Sequence, residues 1–153
     1  MTSETAITWA HAGIEPLADE LVERAVRTAL AHGGRAGTVL SVVFVDDATL
    51  TGMHAEHLDD PSPTDVLTFD LGKEGEGPAG ELYVSVDCAV EVSRRRGVPL
   101  ERELCLYVVH GVLHLCGFDD GSAEDRARMR AAERTVLLEL GFAPDDAPHD
   151  VER

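Results

Sequence analysis

Two histidines four residues apart stand in the segment His110-Gly-Val-Leu-His114-Leu-Cys-Gly-Phe-Asp119-Asp120. On a helix, positions i and i+4 share a face, about one turn apart. Two neutral imidazole nitrogens can then meet one metal ion. Gly117 can break the helix and turn the chain back, and Asp119 or Asp120 can supply a third ligand from below. The skeleton H-x-x-x-H-x-x-G-x-x-D has the logic of a tridentate zinc site. Three protein ligands leave a position for water, as in catalytic sites; structural sites are closed by four. Zinc lowers the pKa of bound water to about 7. Two core histidines bonded to backbone or to Asp119 are the alternative from spacing alone. Position 111 is glycine where the H-E-x-x-H peptidases hold their glutamate base, which counts against a peptidase but leaves metal-dependent hydrolysis open.

For the imidazoles to share a face the segment must be helical. From Pro99 to about Cys116 the chain is apolar nearly all round, with Leu104, Leu106, Tyr107, Val108, Val109, Val112 and Leu113. Such a helix belongs at the centre of a fold. Around it the pattern predicts further helices over Glu15–His32, from Asp46-Asp47 to about His57, from a cap at Asp87 to Arg96, and from Ser122 to Leu140. Ser122 with Asp125 three residues on resembles a capping box. Strands are expected at Ala6–Trp9, Thr38–Val45, Val66–Phe69 and Glu81–Val86. Gly72–Gly80 reads as a polar connection between two of them. The expectation is an α/β (α+β) single domain over residues 1–142, with one mixed four-stranded sheet and about five helices packed on it. Residues 143–153 read as a flexible acidic tail.

Length and composition agree with one soluble domain: 153 residues, 44% hydrophobic and 27% charged. Thirteen Lys+Arg stand against 29 Asp+Glu, a net charge of −16. A field of that sign repels polyanions at long range, so any RNA chemistry must rest on a local arginine patch or a metal ion. Three cysteines, Cys88, Cys105 and Cys116, form no paired framework and sit in apolar stretches, as in a reducing compartment. The opening Met-Thr-Ser-Glu-Thr has neither a basic nor an apolar leader segment, and the expected location is cytoplasmic.

The histidine segment resembles the signature H-G-x-L-H-L-x-G-Y-D-H of the YbeY family, bacterial metal-dependent endoribonucleases of ribosomal RNA maturation. Pro63-Thr64-Asp65-Val66-Leu67-Thr68-Phe69 is similar to that family's P-T-D-V-L-S-F block. Gly80-Glu81-Leu82-Tyr83-Val84-Ser85 is similar to its G-D-I-x-I-S strand, and Glu101-Arg102-Glu103-Leu104 to its E-R-E-L. These blocks run in order from about Val39 to Gly141.

The resemblance implies zinc, one ion per chain, held by His110, His114 and Asp120. It implies cleavage of single-stranded RNA, chiefly ribosomal RNA precursors, and association with the ribosome or a ribosomal protein. Glu81 would orient water or a phosphate-bound cation. Two positions depart from the family pattern. Asp120 stands where the family has a third histidine; a carboxylate is a competent ligand, but its charge weakens the metal as a Lewis acid and favours a harder ion. The arginine usually found several residues before the P-T-D block is absent, and His54, His57 and Leu58 occupy that stretch. Phosphate contact would then fall to His57, to the cluster Arg94-Arg95-Arg96, or to Arg102. Arg126, Arg128, Arg130 and Arg134 read as i,i+4 surface partners of Glu124 and Glu133. The alternatives are a non-enzymatic ribosome-associated factor with a structural or vestigial metal site, and a different metal-dependent hydrolase of peptidase type.

Overall fold

The structure, a computed structural model, describes residues 5–11, 17–58, 65–72 and 78–143, and only the backbone at 57 and 58. The expected tail, the start of the first helix before residue 17, and residues 59–64, with Pro63 and Thr64 of the P-T-D block, lie outside the described residues.

Four strands form one sheet: β1 (Thr5–Trp9), β2 (Leu40–Val45), β3 (Val66–Asp70) and β4 (Gly80–Ser85), in the order β1-β2-β4-β3. β1, β2 and β4 are parallel, and β3 runs antiparallel to β4 with Thr68 opposite Leu82. The sheet is mixed, as expected. Five helices join them: α1 (Asp19–His32), α2 (Asp47–Leu58), α3 (Val86–Arg96), α4 (Leu100–Leu115) and α5 (Ala123–Glu139).

Strand alternation divides the sheet into two unequal faces. Val42, Phe44, Val66, Leu82 and Val84 point into the main core, which α1, α3, α4 and α5 close. Val43, Val45, Leu67, Phe69 and Tyr83 point to the other side, where α2 covers them with Leu50 and Met53. Every residue of α4 from Arg102 to Leu113 is buried. The all-round apolar pattern follows from this position: α4 touches β3 and β4 on one side and α1, α3 and α5 on the others.

Gly111 sets how closely α4 lies on the sheet. A Cβ there would stand 2.7 Å from Leu82 Cδ2 and 3.2 Å from Thr68 Cγ2. Position 111 thus faces packed strand side chains, and the glutamate that a peptidase would need has no room there.

One helix start differs from expectation. Ser85, not Asp87, caps α3, its Oγ accepting the Cys88 N–H at 3.0 Å. Asp87 falls in the first turn and reaches back, its Oδ2 accepting the Asp47 N–H at 2.8 Å. A serine at the end of an apolar strand carries little cap signal, whereas Asp beside it carries a strong one.

A candidate metal centre between helices four and five

The end of α4 is built to return the chain to its own histidine face. The Phe118 N–H bonds the Leu113 carbonyl and the Gly117 N–H bonds that of His114, both at 3.0 Å. This is the paired closure of a Schellman turn, which needs a residue in the left-handed region. Gly117, at φ +101°, supplies it. Asp120 then arrives beside the last turn of α4. Ser122 starts α5 by accepting the Asp125 N–H at 3.0 Å, the expected half of a capping box.

His110, His114 and Asp120 converge, with ligand atoms within 4.8 Å of one another. Asp120 Oδ2 lies 3.4 Å from His114 Nε2 and 3.7 Å from His110 Nε2. The two rings stand at 82°, with centroids 4.6 Å apart. Ligands bonded to one tetrahedral ion at about 2.0–2.1 Å sit roughly 3.3 Å from each other. The two spacings from Asp120 to the imidazoles therefore suit ligands of one cation. No other group of three or more such ligands occurs among the described residues.

Burial and charge suit the same use. His110 is buried, while the side chains of His114 and Asp120 are 28% and 40% exposed, so the cluster opens on one side to solvent. Burial, the largest effect, holds His114 below the ordinary imidazole value; neighbouring His110 adds to this and Asp120 opposes it. A neutral imidazole is the form that ligates.

Sequence reasoning read Glu133 as half of a surface pair. It is 3% exposed, and its Oε2 lies 2.5 Å from His110 Nδ1. Arg130 Nη1 donates to both of its oxygens, at 3.0 and 3.1 Å. Arg130 thus pairs with it at i,i+3, where i,i+4 surface pairs were expected, and the pair faces inward. The signal was available: counting along α5 from buried Met129, Glu133 falls one turn on, on the same face as Met129, Ala132 and Val136.

The remaining sequence-predicted site residues lie elsewhere. Arg102 is buried on α4 eight residues before His110, about 12 Å along the axis. Glu81 alternates with Leu82 and so stands on the α2 face of the sheet, near Tyr83 and away from the histidines. Arg94, Arg95 and Arg96 form the last turn of α3, joined through left-handed Gly97 to the start of α4. That start is about 15 Å from His110. The His57 side chain lies outside the described residues. The structure does not bring Arg102, Glu81 or Arg94–Arg96 to the cluster. It brings Arg126 instead, whose Nη1 approaches the Asp120 carbonyl at 3.4 Å.

Known proteins are similar to this chain. A family model described as Endoribonuclease YbeY matches residues 6–141. The protein of that name from Symbiobacterium thermophilum is 36% identical over 137 residues, covering 82% of this chain and 88% of its own. That from Rhodopirellula baltica is 39% identical over 84% of this chain and 67% of its own. That from Salinibacter ruber is 40% identical over 72% of this chain and 76% of its own. A solution structure of a Thermotoga maritima protein matches in fold with a TM-score of 0.61 at 24% identity, over 90% of this chain and 89% of that one. A family model that matches nearly the whole chain and relatives of 36–40% identity agree on one assignment: the chain belongs to the endoribonuclease YbeY family.

Proposed function

We propose that this chain is a metal-dependent endoribonuclease that cuts single-stranded RNA in ribosomal RNA maturation, with zinc as its ion. The observation that carries the reading is the convergence of His110, His114 and Asp120 on one point that is open to solvent. A divalent ion held there supplies Lewis acidity toward a phosphoryl oxygen and an acidified water.

The chain's own residues define how that ion is held and what reaches it. Two imidazoles and a carboxylate bind from one side. Asp120 brings a negative charge that a third imidazole would not, which moderates the Lewis acidity and widens the choice of ion to harder metals. Arg126 sets a guanidinium group on α5 beside the cluster. In a chain of net charge −16, this local positive charge draws a phosphate that the molecule as a whole repels. Arg94, Arg95 and Arg96 would meet the RNA strand away from the cut. A ribosome or ribosomal protein that presents the RNA would offset the long-range repulsion. Among the described residues, no helix is long and apolar enough to cross a membrane.

Cleavage of a labelled single-stranded RNA, with a duplex of the same sequence alongside, tests the reading. Metal-loaded wild type should cut the single strand and spare the duplex, and His114→Ala should lose the activity by 100-fold or more, on the order of a removed metal ligand or catalytic donor. Cutting that survives both His114→Ala and a chelator contradicts it. Intact RNA with preserved ribosome co-sedimentation would favour a binding factor.

A further inference from the structure

Glu133 is not needed to complete the ligand set, yet it is one of the few buried charges among the described residues. Its place is specific. An ionised carboxylate accepts hydrogen bonds and cannot donate them. Across 2.5 Å, His110 Nδ1 must therefore carry the proton toward Glu133 Oε2. The other ring nitrogen, Nε2, is then the one with a free lone pair, and Nε2 is the atom 3.7 Å from Asp120 Oδ2. Arg130, bonded to both Glu133 oxygens, keeps that carboxylate charged and fixes its rotamer despite its burial.

We propose that Glu133, supported by Arg130, is a positioning residue that locks the His110 tautomer and ring plane so that Nε2 is presented to the metal. Helix α5 thereby does more than cover the core. It sets the ligand geometry of α4 from behind. His114, on the solvent side, has no such carboxylate at its back among the contacts described here, so the two histidines are not equivalent. His110 is the pre-organised ligand, and His114 closes onto the ion with Asp120. The Arg130 charge also cancels that of Glu133, so the carboxylate strengthens His110 as a donor without adding net charge to a site that already holds Asp120. Carboxylates behind ligating histidines typically contribute 10- to 100-fold in metal affinity.

The inference rests on the metal reading above, and its test separates the two. In metal-free wild type, long-range 1H–15N spectra of the His110 ring should show the Nδ1–H tautomer. Zinc affinity, measured by competition with a chromophoric chelator, should fall 10- to 100-fold in Glu133→Leu. It should fall less in Glu133→Gln, which still accepts a bond from Nδ1 but lacks the charge. Met129→Ala, a buried change on the same helix, should lower stability and leave zinc affinity unchanged. If Glu133→Leu does not fold, the wild-type tautomer and the Glu133→Gln affinity still decide. Wild type that binds no metal would overturn the metal reading. An Nε2–H tautomer in wild type, or zinc affinity unaltered in Glu133→Gln and Glu133→Leu, would overturn this inference alone.

Discussion

Two places where a histidine meets a buried or half-buried carboxylate do different work. At the end of α4, His110 meets Glu133. At the carboxyl ends of the parallel strands, His11 Nε2 meets Asp87 Oδ1 at 2.9 Å. Around His11 the acidic groups serve backbone. Asp87 accepts the Asp47 N–H, and Asp46 accepts the Thr49 N–H at 2.7 Å; the Thr49 hydroxyl first and this N–H second hold Asp46 below the usual carboxylate range. Ser85 donates to Asp47 at 3.2 Å while capping α3. These carboxylates tie the starts of α2 and α3 together. Among the described residues these groups form no set of three or more converging ligands. At the end of α4 the carboxylate behind His110 leaves Nε2 facing inward, and a second imidazole and a second carboxylate complete the group. Residue type alone does not make a ligand site. What decides is whether the remaining donor atoms are already taken by amides.

Breaking each place should therefore give opposite profiles. The largest effect is expected at the ligands: His110→Ala should abolish metal retention and reduce RNA cleavage by at least 100-fold, comparable to loss of an essential transition-state donor. Circular dichroism should show the fold retained. Next comes the contact that seats α4. Gly111→Ala forces a Cβ to 2.7 Å from Leu82 Cδ2. Urea denaturation should show a loss of about 1–3 kcal/mol, the usual range for overpacking. An equal stability would mean that α4 can lift off the sheet freely.

Asp87→Ala should cost about 1–2 kcal/mol through the lost bonds to His11 and the α2 start. Its zinc affinity and cleavage should match wild type. A variant that keeps stability and loses metal would reverse the two assignments.

The smallest effect concerns pH. Burial pushes the Cys105 thiol up to about 12. The unfolded chain releases that proton near the ordinary thiol value of about 8.5. Between those values the unfolded state binds fewer protons than the folded one, so stability falls as pH rises. Cys105→Ala should flatten this alkaline slope in thermal melts, and an unchanged slope would assign it to other groups.

Much of this was legible in the sequence because period and spacing carry it. Four strands and five helices follow from alternation, helical stripes and glycine stops. His110 and His114 follow from i,i+4 geometry, the turn at Gly117 leaves Asp119 or Asp120 as the third ligand, and the family resemblance selects Asp120. The parts that were not legible depend on which face an element turns inward. Glu81 sits in a strand whose odd positions face α2, and alternation does not say which face holds the site. Arg102 and Arg94–Arg96 match chemistry to phosphate, but the length of α4 separates them from the cluster. Glu133 was hidden by its neighbour Arg130, since a charged pair at i,i+3 looks the same from sequence whether it faces water or an imidazole. The missing arginine before Pro63 was visible. Arg126 beside the cluster became visible only when α5 was placed against α4.

The most direct test is the metal content of freshly purified protein, measured by elemental analysis on wild type, His114→Ala and Asp87→Ala together. One divalent ion per chain in wild type and Asp87→Ala, lost in His114→Ala, is the predicted result. Equal metal in all three, or none in wild type even after incubation with zinc and desalting, would contradict it.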